Sequence, residues 1–475
     1  MLFNSLAFLI FFPLVTLIFF LLPHRWRWVH LLAASCYFYA SFVPIYLLIL
    51  AFTIAVDYVA GLLIERAQGQ RRKLFLACSI VANVGVLCVF KYWNFVNHNL
   101  TTALQLFGVR NAVPMLSFVL PLGLSFHTFQ AMSYTIEVYR GHQKAERHLG
   151  IYALYVMFYP QLVAGPIERP QNMLPQFRVH QTYDPARVAE GLKMMAWGMF
   201  KKLVLADNLS IVVAPVYAHP RAYSGVQLAV ATVCFAFQIY CDFSGYSDIA
   251  LGSARVMGFK LMTNFDAPYE STSVTEFWRR WHISLSTWFK DYLYFPLGGN
   301  RRGAARGMLN KMIVFVVSGL WHGANWTYVV WGGLHGVYTV GEQLIKRPVS
   351  RGREPVRASW ARRVVAAGVT FTLVCLAWVF FRAERVGDAW QIVTRILTFA
   401  SPSELRADAG ALDHRVGFLA LAPVVMALEA IDRRGGLFQR IDRLPALSRY
   451  AVYLVLVYAT ILFRGMSAQF IYFQF

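Results

Sequence analysis

The amino-acid sequence predicts an all-α, multi-pass membrane protein, on three observations. Of its 475 residues 57% are hydrophobic and only 15% are charged, against roughly 45–50% and about 25% in a soluble domain. Several windows approach the ~20 apolar residues that carry a helix across a ~30 Å hydrocarbon core. Lys and Arg gather in short segments between such windows. Helices follow because only helices and closed barrels satisfy their own backbone in lipid. The windows interleave along the whole length, which predicts one integral-membrane domain over residues 1–475.

The clearest windows, in order, are Leu6–Leu22, Tyr46–Ile64, Leu74–Phe90, Leu228–Leu251 and Val364–Phe381. Leu6–Leu22 has no basic residues before it and no small-x-small cleavage site before Pro23-His24-Arg25, so it reads as a retained span and not a signal peptide. Two segments do not span cleanly. Pro114–Gln130 is broken by Pro121-Leu122-Gly123, and Gly150–Gly165 contains Pro160 and is flanked by charge. Both read as re-entrant elements, and irregular backbone at membrane depth survives only under protein or beside a water-filled cavity. The six cysteines (Cys36, Cys78, Cys88, Cys234, Cys241, Cys375) lie in or near apolar windows and form no CxxC pattern, so they read as small core residues. No internal repeat of the kind found in many transporters is visible.

The net charge of +21 is concentrated in Arg66–Lys73, Arg279–Lys311, Lys346–Arg363 and Arg433–Arg449. The positive-inside rule places these in the cytoplasm. The mixed-charge Arg382–Arg415 loop and the nearly uncharged His98–Arg110 loop then face outside, with both termini outside and roughly ten to twelve crossings. Charge divided among juxtamembrane loops fits contact with anionic membrane lipid. It argues against nucleic-acid binding, for which no module is present.

Two histidines stand at expensive positions. His322 lies in Ser318-Gly319-Leu320-Trp321-His322-Gly323 and His335 in Gly332-Gly333-Leu334-His335-Gly336. Ionisable groups at bilayer depth are functional candidates. Each lies about eleven residues from a basic edge, Lys311 and Lys346. At ~1.5 Å per residue that is ~16 Å, so antiparallel arms would bring both to similar depth. The surrounding glycines let backbones or a ligand approach closely. A desolvated, neutral imidazole is suited to general-base work; a histidine hydrogen-bonded between helices is the plainer alternative. No carboxylate or third histidine is spaced to complete a metal site.

The second dense region is Glu276–Tyr292, basic and rich in Trp. It reads either as an interfacial helix anchored by Trp and Arg or as a docking surface for an anionic donor. In the second case Arg279, Arg280, Lys290, Arg301 and Arg302 hold phosphates or an acidic carrier, and His282 points to the cavity. Asp242-Phe243-Ser244-Gly245-Tyr246-Ser247-Asp248 reads as a polar patch at the end of a span or as cavity lining. Leu297-Gly298-Gly299-Asn300 lacks the Lys-Ser/Thr of a Walker loop, and there is no GxSxG elbow. A proton-coupled transporter or a scaffold of a secretion complex is the competing class. Against the transporter stand the missing repeat and the lack of Asp or Glu in the His322–His335 hairpin.

Glu276–Tyr292, Ser318–Trp326 and Gly333-Leu334-His335-Gly336 together resemble the membrane-bound O-acyltransferase superfamily. Tyr159–Ile167, Gln238–Asp248 and the terminal Phe470–Phe475 resemble its polysaccharide-acetylating branch, which includes the membrane subunits of alginate O-acetyltransferase systems. The motifs concentrate in residues 114–345; residues 382–475 are less recognisable. The resemblance implies a ring of helices around a central funnel in a bacterial inner (cytoplasmic) membrane. It implies catalytic roles for His322 and His282, with His335, Trp321, Asn325, Asp242 and Ser244 as candidates to line the cavity. It also implies no bound cofactor, and an acyl thioester (acetyl-CoA or an acylated carrier protein) as co-substrate. The partners it implies are a periplasmic SGNH-type acetyltransferase and an exported polysaccharide such as alginate. D-alanyl transfer to a cell-wall polymer is the neighbouring chemistry. The aromatic C-terminus reads as an outward docking site or an interfacial anchor.

Overall fold

The computed structural model describes residues 1–117, 121, 123–163, 165–345, 359–398, 413–433, 436–465 and 470–471. Within them every regular element is a helix. Five helical stretches are long and apolar enough to cross a membrane: Pro44–Arg66, Gly69–Gln105, Gly225–Met257, Trp360–Arg382 and His414–Arg433. Four of them contain the windows read from sequence. The fifth window forms a helix of 16 residues, Leu6–Leu21, about 24 Å long at 1.5 Å per residue.

The chain gathers into two compact units, Met1–Met195 with Ser247–Met262, and Ala196–Tyr246 with Thr263–Phe475. The first contains α1 (Leu6–Leu21), α2 (His24–Ala40), α3 (Leu47–Arg66), α4 (Gly69–Leu87), α5 (Trp93–Gln105), α6 (Leu124–Arg140), α7 (Leu149–Met157), α8 (Tyr159–Leu162), α9 (Pro170–Gln176) and most of α10 (Pro185–Phe200). A polar knot joins α3, α4 and α6. Asp57 accepts from Ser79 Oγ at 2.6 Å and from Asn83 Nδ2 at 2.9 Å, and Ser79 Oγ is 2.9 Å from Thr135 Oγ1. Interhelical hydrogen bonds of this kind replace the hydrophobic drive that lipid-embedded helices lack. α7 and α8 have nine and four residues, too few to span ~30 Å. Nearly all of their side chains are buried, as the re-entrant reading of Gly150–Gly165 requires. α6 is likewise buried from Leu124 to Thr135.

The second unit contains α11 (Asp207–Ala218), most of α12 (Gly225–Met257), α13 (Val274–Arg280), α14 (Ile283–Phe289), α15 (Ala304–His322), α16 (Trp326–Ile345), α17 (Trp360–Arg382), α18 (Val386–Leu397), α19 (Ala422–Arg433), α20 (Leu437–Asp442) and α21 (Ala446–Leu462). Its centre is the antiparallel hairpin of α15 and α16. A Cβ on Gly319 would lie 2.1 Å from the Tyr328 carbonyl oxygen, and one on Gly332 2.2 Å from that of Phe315. Backbone against backbone at that distance admits only glycine. The loop expected over Arg382–Arg415 instead carries α18, whose Ala389 and Ile392 are buried; residues 399–412 and most of the Lys346–Arg363 cluster lie outside the described residues.

Candidate active site

α15 ends at His322, where Gly323 turns the chain into extended backbone. Asn325 then begins α16. Its side-chain oxygen accepts from Thr327 N at 3.0 Å, and its Nδ2 donates to the Glu384 carbonyl at 3.0 Å. Asn325 is therefore a helix cap, and both its polar groups are engaged there instead of in a cavity wall. His322 is 4% exposed. Its ring lies 4.9 Å from that of Trp321, 5.0 Å from Trp331 and 5.3 Å from Phe381, edge to face in each case.

His335 packs on the same indole, 5.1 Å from Trp331. The two imidazoles both contact Trp331 but do not share one level. The equal-depth expectation fails because Lys311 is not the edge of its arm: α15 begins seven residues earlier, at Ala304. Lys311 meets Gln343 across the hairpin, and Met312 packs on Gly336. His335 is thus set against the middle of α15 while His322 closes its end. Trp278 Nε1 donates to His335 Nδ1 at 3.1 Å. An indole nitrogen only donates, so Nδ1 is the acceptor and the neutral ring carries its proton on Nε2. The Phe277 ring stacks on the imidazole at 6.2 Å.

His282 occupies the break between α13 and α14 with φ 44° and ψ 55°. Left-handed backbone at a residue that is neither Gly nor Asn costs on the order of 1–3 kcal/mol and persists only where neighbours enforce it. Here Asn264 enforces it. Its carbonyl accepts from Ile283 N at 2.9 Å and its Oδ1 from Ser284 Oγ at 2.6 Å. The strain turns the imidazole fully inside, 4.7 Å from the Phe243 ring and 6.2 Å from that of Trp321. Phe243, His282, Trp321, His322, Trp331 and His335 thus form one continuous run of ring contacts.

Of the cationic candidates, Arg279, Lys290, Arg301 and Arg302 are exposed. Arg280 is committed to Glu276 at 2.6 Å. α13 is tied to α16 by Glu342, which accepts from Thr275 N at 3.1 Å and Oγ1 at 2.7 Å. The basic helix and the His335 helix are therefore held together by hydrogen bonds.

The Asp242–Asp248 motif lies inside α12, not at the end of a span. Asp242 pairs at 2.7 Å with Lys202, which also holds Asp207 at 2.8 Å, all three at most 3% exposed. Asp242 accepts as well from Ile471 N at 2.7 Å. Ser244 is buried nearby on the same helix. Phe470 packs on Tyr246 at 4.2 Å and Phe243 at 5.9 Å. The described part of the C-terminal motif, Phe470 and Ile471, is therefore interior, where an outward docking site or an interfacial anchor was expected; residues 472–475 lie outside the described residues. Sequence reasoning missed Lys202 and Asp207, although two lysines within an apolar run (Phe200-Lys201-Lys202-Leu203) are a signal. It also passed over the buried His127 of the first unit.

Residues 142–381, which carry all three site histidines, match the membrane-bound O-acyltransferase family. The chain belongs to that family. It is 38% identical to a probable alginate O-acetylase of Azotobacter vinelandii over 91% of this chain and 85% of the relative. The same identity holds for a probable alginate O-acetylase of Pseudomonas aeruginosa, over 90% and 81%. A peptidoglycan O-acetyltransferase of Helicobacter pylori is 35% identical over 78% and 73%. The protein is thus an O-acyltransferase of the membrane, and its helices long enough to span make it multi-pass. In this O-acyltransferase the histidines stand on three different elements of one unit and are joined through aromatic rings.

Proposed function

We propose that this O-acyltransferase moves an acetyl group from a cytoplasmic thioester across a bacterial inner membrane for O-acetylation of an exported polysaccharide such as alginate. The observation that carries the reading is His322: an imidazole at a helix end, walled by Trp321, Trp331 and Phe381, and linked through Trp321 to a strained His282. The relatives, a probable alginate O-acetylase and a peptidoglycan O-acetyltransferase, support the acetyl group and the polymeric acceptor.

In this mechanism a ring nitrogen of His322 takes the proton of the acceptor hydroxyl as its oxygen bonds to the thioester carbonyl carbon. The C–S bond breaks, the ester forms, and the proton passes to the leaving thiolate. His282 orients the thioester. Exposed Arg279, Lys290, Arg301 and Arg302 receive the phosphates of CoA or the acidic face of a carrier protein. A periplasmic SGNH-type partner completes transfer to the glycan. Positioned proton transfer is worth roughly 10²–10⁴-fold. Purified protein given acetyl-CoA, an acetylated or D-alanylated carrier, and acceptor should release free thiol. His322→Ala should abolish that release at unchanged protein level. Thiol release by the variant at the native rate refutes the base assignment, and preference for the D-alanyl donor replaces the acetyl group.

A further inference from the structure

Three residues spaced four apart on α16, Thr327, Trp331 and His335, are each at most 1% exposed. At 3.6 residues per turn they form one stripe, about 12 Å long. Each presents a buried side-chain polar atom with no hydrogen-bond partner among the described residues: Thr327 Oγ1, Trp331 Nε1 and His335 Nε2. Thr327 N is taken by the Asn325 cap and His335 Nδ1 by Trp278. Buried polar groups are nearly always satisfied, and removing one from water without a partner is costly. Three orphans in one stripe, with the middle ring against His322, are not accounted for by packing.

Trp Nε1–H only donates, and with Nδ1 accepting, His335 Nε2 also carries a hydrogen. Both therefore call for an oxygen acceptor. We propose that Trp331 and His335 hold the carbonyl oxygen of the transferred acyl group beside His322, and that Thr327 receives the acceptor hydroxyl at the end of the row nearer Asn325. As the tetrahedral centre forms, charge grows on that oxygen, and donors fixed in a water-poor site act most strongly then. The assignment rests on the O-acyl transfer mechanism proposed above.

The test is steady-state thiol release from acetyl-CoA. Trp331→Phe deletes the N–H and keeps the ring stack. His335→Asn keeps an acceptor for Trp278 and loses the Nε2 donor, whereas His335→Gln restores an N–H near Nε2. Thr327→Val is isosteric. Trp331→Phe and His335→Asn are expected to lose roughly 10²-fold in kcat with donor KM within about twofold, and to lower the thermal midpoint only modestly, by the space each leaves in the core. His335→Gln should recover part of the loss, and Thr327→Val should raise acceptor KM. Native kcat in Trp331→Phe, or a rise in donor KM alone, overturns the assignment. His322→Ala is run in parallel: if it is inactive while Trp331→Phe is native, only the oxygen subsite fails, and if it is active the reaction mechanism fails.

Discussion

Removing the ammonium of Lys202 is the perturbation with the largest expected effect on the fold. Its Nζ lies 2.8 Å from Asp207 and 2.7 Å from Asp242, with none of the three side chains more than 3% exposed. At an effective dielectric of ~20 each pair attracts by about 6 kcal/mol, much of which offsets the cost of taking the ions out of water. Lys202→Met leaves two carboxylates close together in the interior. Breaking a buried pair in this way costs about 3–5 kcal/mol, a shift in thermal midpoint on the order of 5–10 °C. The protein carries its own reporter: Cys234 and Cys375 are free and buried, so a thiol-reactive dye reports unfolding on heating in detergent. Asp207→Asn and Asp242→Asn added to Lys202→Met remove the uncompensated charge and should recover most of the loss. A native midpoint in Lys202→Met, or a triple variant no better than the single one, refutes the electrostatic account.

The hairpin gives a sharper steric contrast. Gly319→Ala and Gly332→Ala push a methyl into a carbonyl oxygen and should each cost about 1–3 kcal/mol and lower the yield of folded protein, whereas Gly333, with open space around it, should accept Ala without loss. Asn325→Ala removes the α16 cap and should cost about 0.5–2 kcal/mol, read as a lower midpoint, while Asn325→Ser keeps most of it. Alanine at Arg279, Lys290, Arg301 and Arg302 together should raise donor KM several-fold at low ionic strength with little change in kcat, and the difference should shrink with added salt; equal KM values at low salt would remove these side chains from the donor site.

Spans were legible because lipid asks for a composition, and composition is local. Residues 46–64, 74–90, 228–251 and 364–381 needed only a count of apolar residues. α7 and α8 were legible for a related reason: Pro160 and charged flanks left too few apolar residues to cross. His414–Arg433 escaped because it follows a mixed-charge segment and leads into a basic one. His322 and His335 were legible as polar residues in apolar surroundings, whereas His282, in a basic Trp-rich segment, stood out only through the family resemblance. What joins them was not. The Trp278–His335 bond links residues 57 apart, and His282 is turned inward by Asn264, in another loop. Trp331, Phe381 and Phe243, the rings between the imidazoles, do not stand out in a chain that is 16% aromatic.

Depth counting misplaced His322 because it took the first Lys of its arm as the membrane edge. A lysine stem is long enough to carry its ammonium away from its own Cα, and Lys311 uses that reach to meet Gln343. The same caution applies to Lys202. A buried ion pair is weak evidence for stability, since well-packed apolar replacements are often as stable or more so. If the neutral triple variant folds as well as the native chain and still loses thiol release, the charges serve geometry and not stability. The route for that effect is short: Asp242 precedes Phe243 on α12, and Phe243 packs directly on His282. A triple variant that is both stable and fully active would instead leave the Lys202 cluster with no part in transfer.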